Sequence, residues 1–284
     1  MAKSDSHKWG QILGDLLEIA LYPHLNTFAK QNNLFLDKQG DRLCRKGKKV
    51  SWYDLKANKH DLDFVLEKNG SQENIGEPVA FIETAWRRYT KHSRNKAQEI
   101  QGAIIPLFEK YKEFSPFIGV VLAGEFTSGA LTQLRSLGFN VLYIPYQSFI
   151  KVFSKFGIDA SFDEETSLEE FERKINQWET FKHKNEIAQE LLLENKAEFN
   201  TFFKELAKSI KREIESISIF CLHGISSEYS SIIDAIKYLE FYEEKESINP
   251  FVKYEVIIRY NTGDKIDAIF KNKEDAITFL SNYK

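Results

Sequence analysis

Cysteine is scarce: the 284 residues hold only Cys44 and Cys221, far apart and in ordinary contexts. No CxxC pair or His-rich spacing accompanies them. That argues against a structural zinc site and a disulfide framework, and makes a reducing cytoplasm the expected setting. Long apolar runs are absent, so no segment is expected to cross a bilayer. The opening MAKSDSHKWGQ lacks the apolar core of a secretory signal. Neither sign of charge dominates: the formal net charge is −3, so any anion-binding surface must be local. Nucleotide and hydrolase signatures are missing too. In GEFTSGAL a G-x-x-x-x-G spacing is followed by Ala130 and Leu131, where a P-loop needs Lys and Ser/Thr, so ATP binding is not expected. There is no G-x-S-x-G, HExxH or kinase set. His60 and His223 have no nucleophile or metal partner nearby in sequence and read as ordinary loop histidines.

What is present fits a soluble globular chain: 42% hydrophobic and 29% charged residues, and enough length for one large or two modest domains. WGQILGDLLEIALYPHLNTFAKQ has apolar residues at helical spacing, with Pro23 expected to kink or end its first part. Short strands follow, with polar turns at Gly40 and Gly47. LDFVLE and PVAFIETAW read as strands. SRNKAQEIQGAIIPLFEKY reads as a helix with Ser93 as N-cap. PFIGVVLAG is apolar throughout, as in a strand buried on both faces. A helix ending at Gly138, the strand FNVLYIPY and a short helix complete the series. This order predicts a mixed α/β sheet with right-handed crossovers. Residues 161–215 are charged, helix-rich and without Gly or Pro. They read as one or two long connecting helices between a 1–160 core and a 216–284 module of β-α-β-β-α order. That module carries a hairpin at NTGD.

Two strands carry acids where a half-buried strand does not need them. Asp61 and Asp63 are two apart, so on a continuous strand they share a face. Glu83 lies near the end of the next strand. If the strands pair, these carboxylates converge, and such a group repels itself unless a cation or proton compensates. Oxygen-only ligands suit Mg²⁺ or Mn²⁺, which can activate water and stabilise charge on phosphate. The bland alternative for any one of them is a solvated strand-end acid.

In its order of elements the chain resembles the PD-(D/E)XK nuclease superfamily, over roughly residues 8–156. DLDFVLE matches the strand with the Asp, with Asp63 directly before the apolar run. FIETAW matches the second strand, with Glu83 as its acid. KAQEIQGAI supplies the helix, FIGVVLAG the buried strand, and FNVLYIPYQSFI the last strand and exit. The resemblance implies a mixed central sheet flanked by helices, as in restriction endonucleases, with Mg²⁺ (or Mn²⁺) at Asp63 and Glu83. The chain departs from the motif at one position: Ala85 stands where the family has Lys. Some members carry that Lys on the following helix, which makes Lys96 the first candidate and Lys91 the second. Glu99, three residues after Lys96, either orients it, joins the metal shell, or forms a surface ion pair. Glu18 on the first helix is either a further metal-site acid or a solvated one.

WRRYTKHSRNK follows Glu83 directly. It packs five Lys/Arg and one His into eleven residues, with Trp86 and Tyr89 interleaved. Arg87, Arg88, Lys91 and Arg94 are expected to neutralise phosphates beside the metal site, unless the run is simply a solvated face. The implied activity is a Mg²⁺-dependent DNA endonuclease, foremost a type II restriction enzyme acting as a homodimer on double-stranded DNA, with no membrane and no ATP. A repair or phage-defence nuclease has the same core. A catalytically inactive nucleic-acid-binding or partner-binding module is the alternative from another class.

Overall fold

The computed structural model describes residues 5–221, 225–244 and 253–283, which form two compact units dividing after Leu206. In the first unit α1 (Asp5–Gln31) buries Trp9, Leu13, Leu16, Leu17, Leu21 and Leu25 along one stripe. Pro23 does not end it. One missing backbone hydrogen bond is outweighed by the burial of Leu21, Leu25 and Ala29 around and beyond it, at roughly 1.5–3 kcal/mol per leucine. The chain continues through β1 (Leu34–Lys38), β2 (Val50–Tyr53), β3 (Lys59–Leu62), β4 (Phe64–Lys68) and β5 (Glu77–Arg87). Next come α2 (Ser93–Lys110), β6 (Phe117–Gly124), α3 (Ser128–Ser136), β7 (Asn140–Pro145) and α4 (Tyr146–Lys155).

The fold is α/β. The central sheet has the order β1-β4-β5-β6-β7. β1, β4 and β5 pair antiparallel, whereas β5, β6 and β7 run parallel through the crossover helices α2 and α3. β2 and β3 form a separate hairpin inserted between β1 and β4. Every residue of β6 is buried, as its apolar run predicts. Phe81 and Ala85 of β5 face α2 and share a core with Ala97 and Ile100. Trp86 faces the other way, against α1 and Phe149 of α4. At the end of β6, Gly124 adopts φ +95°, and a Cβ there would stand 2.1 Å from the Arg87 carbonyl oxygen. That close approach keeps the ends of β5 and β6 together.

Ser93 is not the N-cap of α2. The helix begins at Ser93 itself, which is fully buried and donates its hydroxyl to the Thr90 carbonyl at 2.8 Å. The stretch read as a connector is three helices, α5 (Leu168–Thr180), α6 (Lys184–Glu194) and α7 (Lys196–Ile210). α5 and α6 pack on α1, and α6 also on α4, so the residues up to Leu206 belong to the first unit. Phe171, Ile175 and Trp178 bury the inner face of α5, giving that charged stretch an apolar stripe and a reason to dock.

The second unit runs β8 (Ile214–Cys221), β9 (Ile225–Tyr229), α8 (Ile232–Phe241), β10 (Tyr254–Tyr260), β11 (Lys265–Phe270) and α9 (Lys273–Ser281). Its sheet is antiparallel in the order β11-β10-β8-β9. The hairpin at Asn261–Asp264 is where the sequence predicts it. β9 is a strand missing from the predicted β-α-β-β-α order, so the unit consists of two β-β-α halves. Its residues Ser226, Ser227 and Glu228 offer no apolar alternation to find it by. His223 lies outside the described residues.

One buried ion network pins the β1–β4 region. The Arg42 fork holds both oxygens of Glu67 at 2.6 and 2.8 Å and reaches Asp37 at 2.8 Å, while Arg45 pairs with the same Asp37. Arg42, Glu67 and Asp37 are all buried. Arg42→Ala leaves buried carboxylates short of a cation and is expected to cost about 3–5 kcal/mol in urea unfolding. Lys49→Ala, which breaks an exposed pair with Asp61, is expected to cost less than about 1 kcal/mol in the same measurement.

Candidate functional site

β4 and β5 pair with Phe64 opposite Ile82, and the ladder stops there. Asp63 is a bend between β3 and β4, directly across from Glu83. The Thr84 backbone N–H and hydroxyl both donate to Asp63 Oδ2, each at 2.7 Å. A side-chain carboxylate thus takes over hydrogen bonding where the strand pairing ends. Glu83 is only 8% exposed, and its Oε1 has no hydrogen-bond partner.

An open cleft of about 830 Å³ adjoins this point. One wall is the face of α1 bearing His7, Gln11, Asp15 and Glu18; another is the end of β5 from Thr84 to Tyr89. Lys96 of α2 and the Phe162–Thr166 segment complete it. Gly10 and Gly14 of α1 face the Trp86 side chain, where a Cβ would make ordinary van der Waals contact, at 3.7 Å from its Nε1 and 3.5 Å from its Cβ.

The electrostatics follow from this convergence. Burial, then the negative charge of Asp63 and to a lesser degree Glu18, pushes the Glu83 carboxyl up to about 8 against the pull of Lys96. Burial, followed by Asp63 and Asp15, pushes Glu18 up to about 7, with Lys38 opposing. Three acids therefore compete for neutralisation at one place. Lys96 sits one turn into α2, and its ammonium pairs with Glu99 at 3.3 Å.

Of the residues singled out by sequence, Asp63, Glu18, Lys96, Arg87 and Arg88 line the cleft, and Glu83 lies buried behind Asp63 and Thr84. Asp61 does not join them. The bend at Asp63 breaks the alternation that placed both acids on one face, and Asp61 pairs with Lys49 at 2.8 Å and Lys59 at 3.3 Å on the β2–β3 hairpin. Glu99 is not among the cleft residues either. It is an exposed partner of Lys96, with Arg87 at 3.8 Å. Arg94 is exposed and outside the cleft lining. Lys91 is exposed and paired with Glu164 at 2.9 Å. Arg88 departs most from the expected phosphate contact. It donates to the Phe162 carbonyl at 2.7 Å and stacks over the Tyr146 ring at 4.1 Å, tying down the segment that follows α4.

Sequence reasoning missed Thr84 and the acidic Asp163–Glu164 rim. Thr is an ordinary strand residue, and the contact between Lys91 and Glu164 spans 73 residues, so neither leaves a local signal. His60 lies in β3 rather than in a loop, and its Nε2 is paired with Asp54 at 3.1 Å.

Among the described residues no group of three or more His, Cys, Asp or Glu side chains is disposed as a ready metal cage. The donors nevertheless suit a hard cation. Mg²⁺ is commonly held by one or two carboxylates and completes its shell with water and substrate phosphate. Asp63 and the unpartnered Glu83 Oε1 are two such carboxylates. No helix among the described residues is long and apolar enough to cross a membrane.

No family model and no curated protein matches the chain. A solved crystal structure of a protein of unknown function, AF1548, aligns with 69% of this chain and 97% of its own. The sequence identity is 11% and the TM-score 0.30, and it adds nothing to the reading of the site.

The raised carboxyls predict a pH dependence. Between the ordinary value of 4.5 and about 8 the folded chain keeps a proton on Glu83 that the unfolded chain has lost, and Glu18 does the same up to about 7. Folding stability should therefore fall as pH rises through that window. Thermal unfolding in a chelator at pH 5 and pH 8.5 is expected to show this fall, and Glu83→Gln is expected to flatten most of it.

Proposed function

We propose that this chain is a divalent-cation-dependent nuclease with the site arrangement of the PD-(D/E)XK superfamily. The observation that carries the reading is the buried Glu83 carboxylate with an unpartnered Oε1, set directly across from Asp63 and within electrostatic reach of Lys96 and Glu18. A buried acid of this kind is costly unless something compensates its charge. Asp63 and Glu83 would hold Mg²⁺ or Mn²⁺, with Glu18 nearby as a further acid. The ion supplies Lewis-acid stabilisation of phosphate charge and a more acidic bound water.

The protein groups divide the remaining work. Lys96 comes from α2, on the side of β5 that Glu83 and Ala85 face, where the motif lysine of the family would point. Its ammonium orients the attacking water and offsets the extra negative charge on the non-bridging phosphate oxygens as the new P–O bond forms and the P–O bond to the leaving sugar oxygen breaks. Arg87 at the cleft mouth neutralises an adjacent phosphate. The substrate proposed is double-stranded DNA, and the enzyme type a restriction endonuclease acting as a homodimer, since cutting both strands at a symmetric site needs two such clefts. The α/β core serves repair and phage-defence nucleases equally.

Incubation of the chain with phage DNA and Mg²⁺, read on a gel, tests this. Discrete fragments are expected from a site-specific enzyme. Asp63→Ala and Glu83→Ala should each abolish cutting while leaving DNA affinity near that of the parent. Lys96→Ala should slow cutting by orders of magnitude at saturating DNA, because its contact matters in the transition state. Cutting retained in both acid variants would remove these residues from the reaction. DNA binding without cutting under Mg²⁺ or Mn²⁺ would instead identify an inactive binding relative, the reading that Ala85 favours.

A further inference from the structure

Thr84 has no part in the roles above, yet it makes two short polar contacts at the edge of the cleft. Its backbone N–H and its hydroxyl converge on one oxygen, Asp63 Oδ2, both at 2.7 Å. We propose that Thr84 is the positioning residue of this site: it saturates Asp63 Oδ2 and presents Oδ1 as the single oxygen free to ligate a divalent cation. The proposal rests on the reading of Asp63 as a metal ligand.

A carboxylate oxygen has two in-plane lone pairs, and two short donors use both. The carboxylate then cannot chelate through both oxygens, so a cation meets it end-on through Oδ1. The donors are themselves rigid. The N–H belongs to β5, which is flanked by β4 and β6. The hydroxyl hangs on a β-branched carbon with few rotamers. Asp63 needs such a hold because it is a bend outside the strand ladder, so its own backbone does not fix its direction. Glu83 lies opposite, with its Oε1 unpartnered. One oxygen of each acid is then uncommitted: Glu83 Oε1 by observation, Asp63 Oδ1 by inference.

Mn²⁺ binding to the full chain, titrated by electron paramagnetic resonance, tests this without recourse to cleavage. The parent should bind Mn²⁺, and Asp63→Asn should lose most of that binding. Thr84→Val, which keeps the shape and the backbone N–H but removes the hydroxyl, should weaken Mn²⁺ affinity about 10- to 100-fold. Thr84→Ser should stay within about threefold of the parent, because it restores the donor. Thr84→Val combined with Asp63→Asn should weaken binding no further than Asp63→Asn alone. Thermal unfolding and circular dichroism of each variant check the fold, and Thr84→Ala replaces Thr84→Val if the latter fails to fold. Parent-like Mn²⁺ binding by Thr84→Val and Thr84→Ala would overturn the positioning role while leaving the metal site intact. Equal losses in Thr84→Val and Thr84→Ser would overturn it as well, by pointing to packing. A parent that binds no Mn²⁺ would overturn both this inference and the nuclease reading.

Discussion

The end of the β4–β5 ladder sets two carboxylates across from each other, Glu83 buried and Asp63 half-buried at the cleft, and much of the first unit is organised around that constraint. Beyond Phe64 and Ile82 the strands no longer exchange backbone hydrogen bonds in the regular pattern. Asp63 bends away, and the Thr84 N–H turns to its side-chain oxygen. The surrounding elements keep Glu83 buried. α1 packs against Trp86 at Gly10 and Gly14, and α2 covers the Glu83 side through Ala97 and Ile100. Burial first, and then repulsion among these acids, holds the carboxyls of Glu83 and Glu18 raised.

Much of this was legible in the sequence, for identifiable reasons. The apolar run of β6, the alternating acids in LDFVLE and FIETAW and the helix after Ser93 each have a local signature, and the mixed sheet follows from their order. The readings that failed are those that depended on long-range geometry or on a single residue's conformation. Asp61 parts from Asp63 because one bend between them interrupts the period of two. Pro23 stays inside α1 because tertiary burial on both sides outweighs one missing hydrogen bond. The 161–206 helices dock on α1 through an apolar stripe diluted by charge, which made them look like a connector. β9 has only Tyr229 packed on the core among its described side chains, too little to mark a strand in the sequence.

The basic stretch after Glu83 shows how a charge run can divide its labour. Read as a string, its cations look equivalent. In the fold Arg88 is half-buried, stacked on Tyr146 and bonded to the Phe162 carbonyl, so its main contacts are structural. Lys91 holds Glu164 in an exposed ion pair, a kind of contact that contributes little in water. Arg87 and Lys96 share Glu99 at the cleft mouth. Cations already engaged with weakly held carboxylates carry a lower affinity for an incoming polyanion than their number suggests, because each pairing must first be broken.

Ala85 is the residue that most separates this chain from the motif it resembles, and its surroundings bear on that difference. Side chains alternate along β5, so position 85 faces the same way as Glu83, toward α2. A lysine there would have to thread past the core that Ala85 shares with Ala97 and Ile100, and Ala85 is itself buried. Lys96 starts on α2, one turn from its N-terminus, and approaches Glu83 from outside that core with its side chain only partly exposed. The small residue on the strand and the long one on the helix are therefore complementary. The cation that lowers the cost of ionising Glu83 comes from the element that covers it, and the strand position is left free for packing.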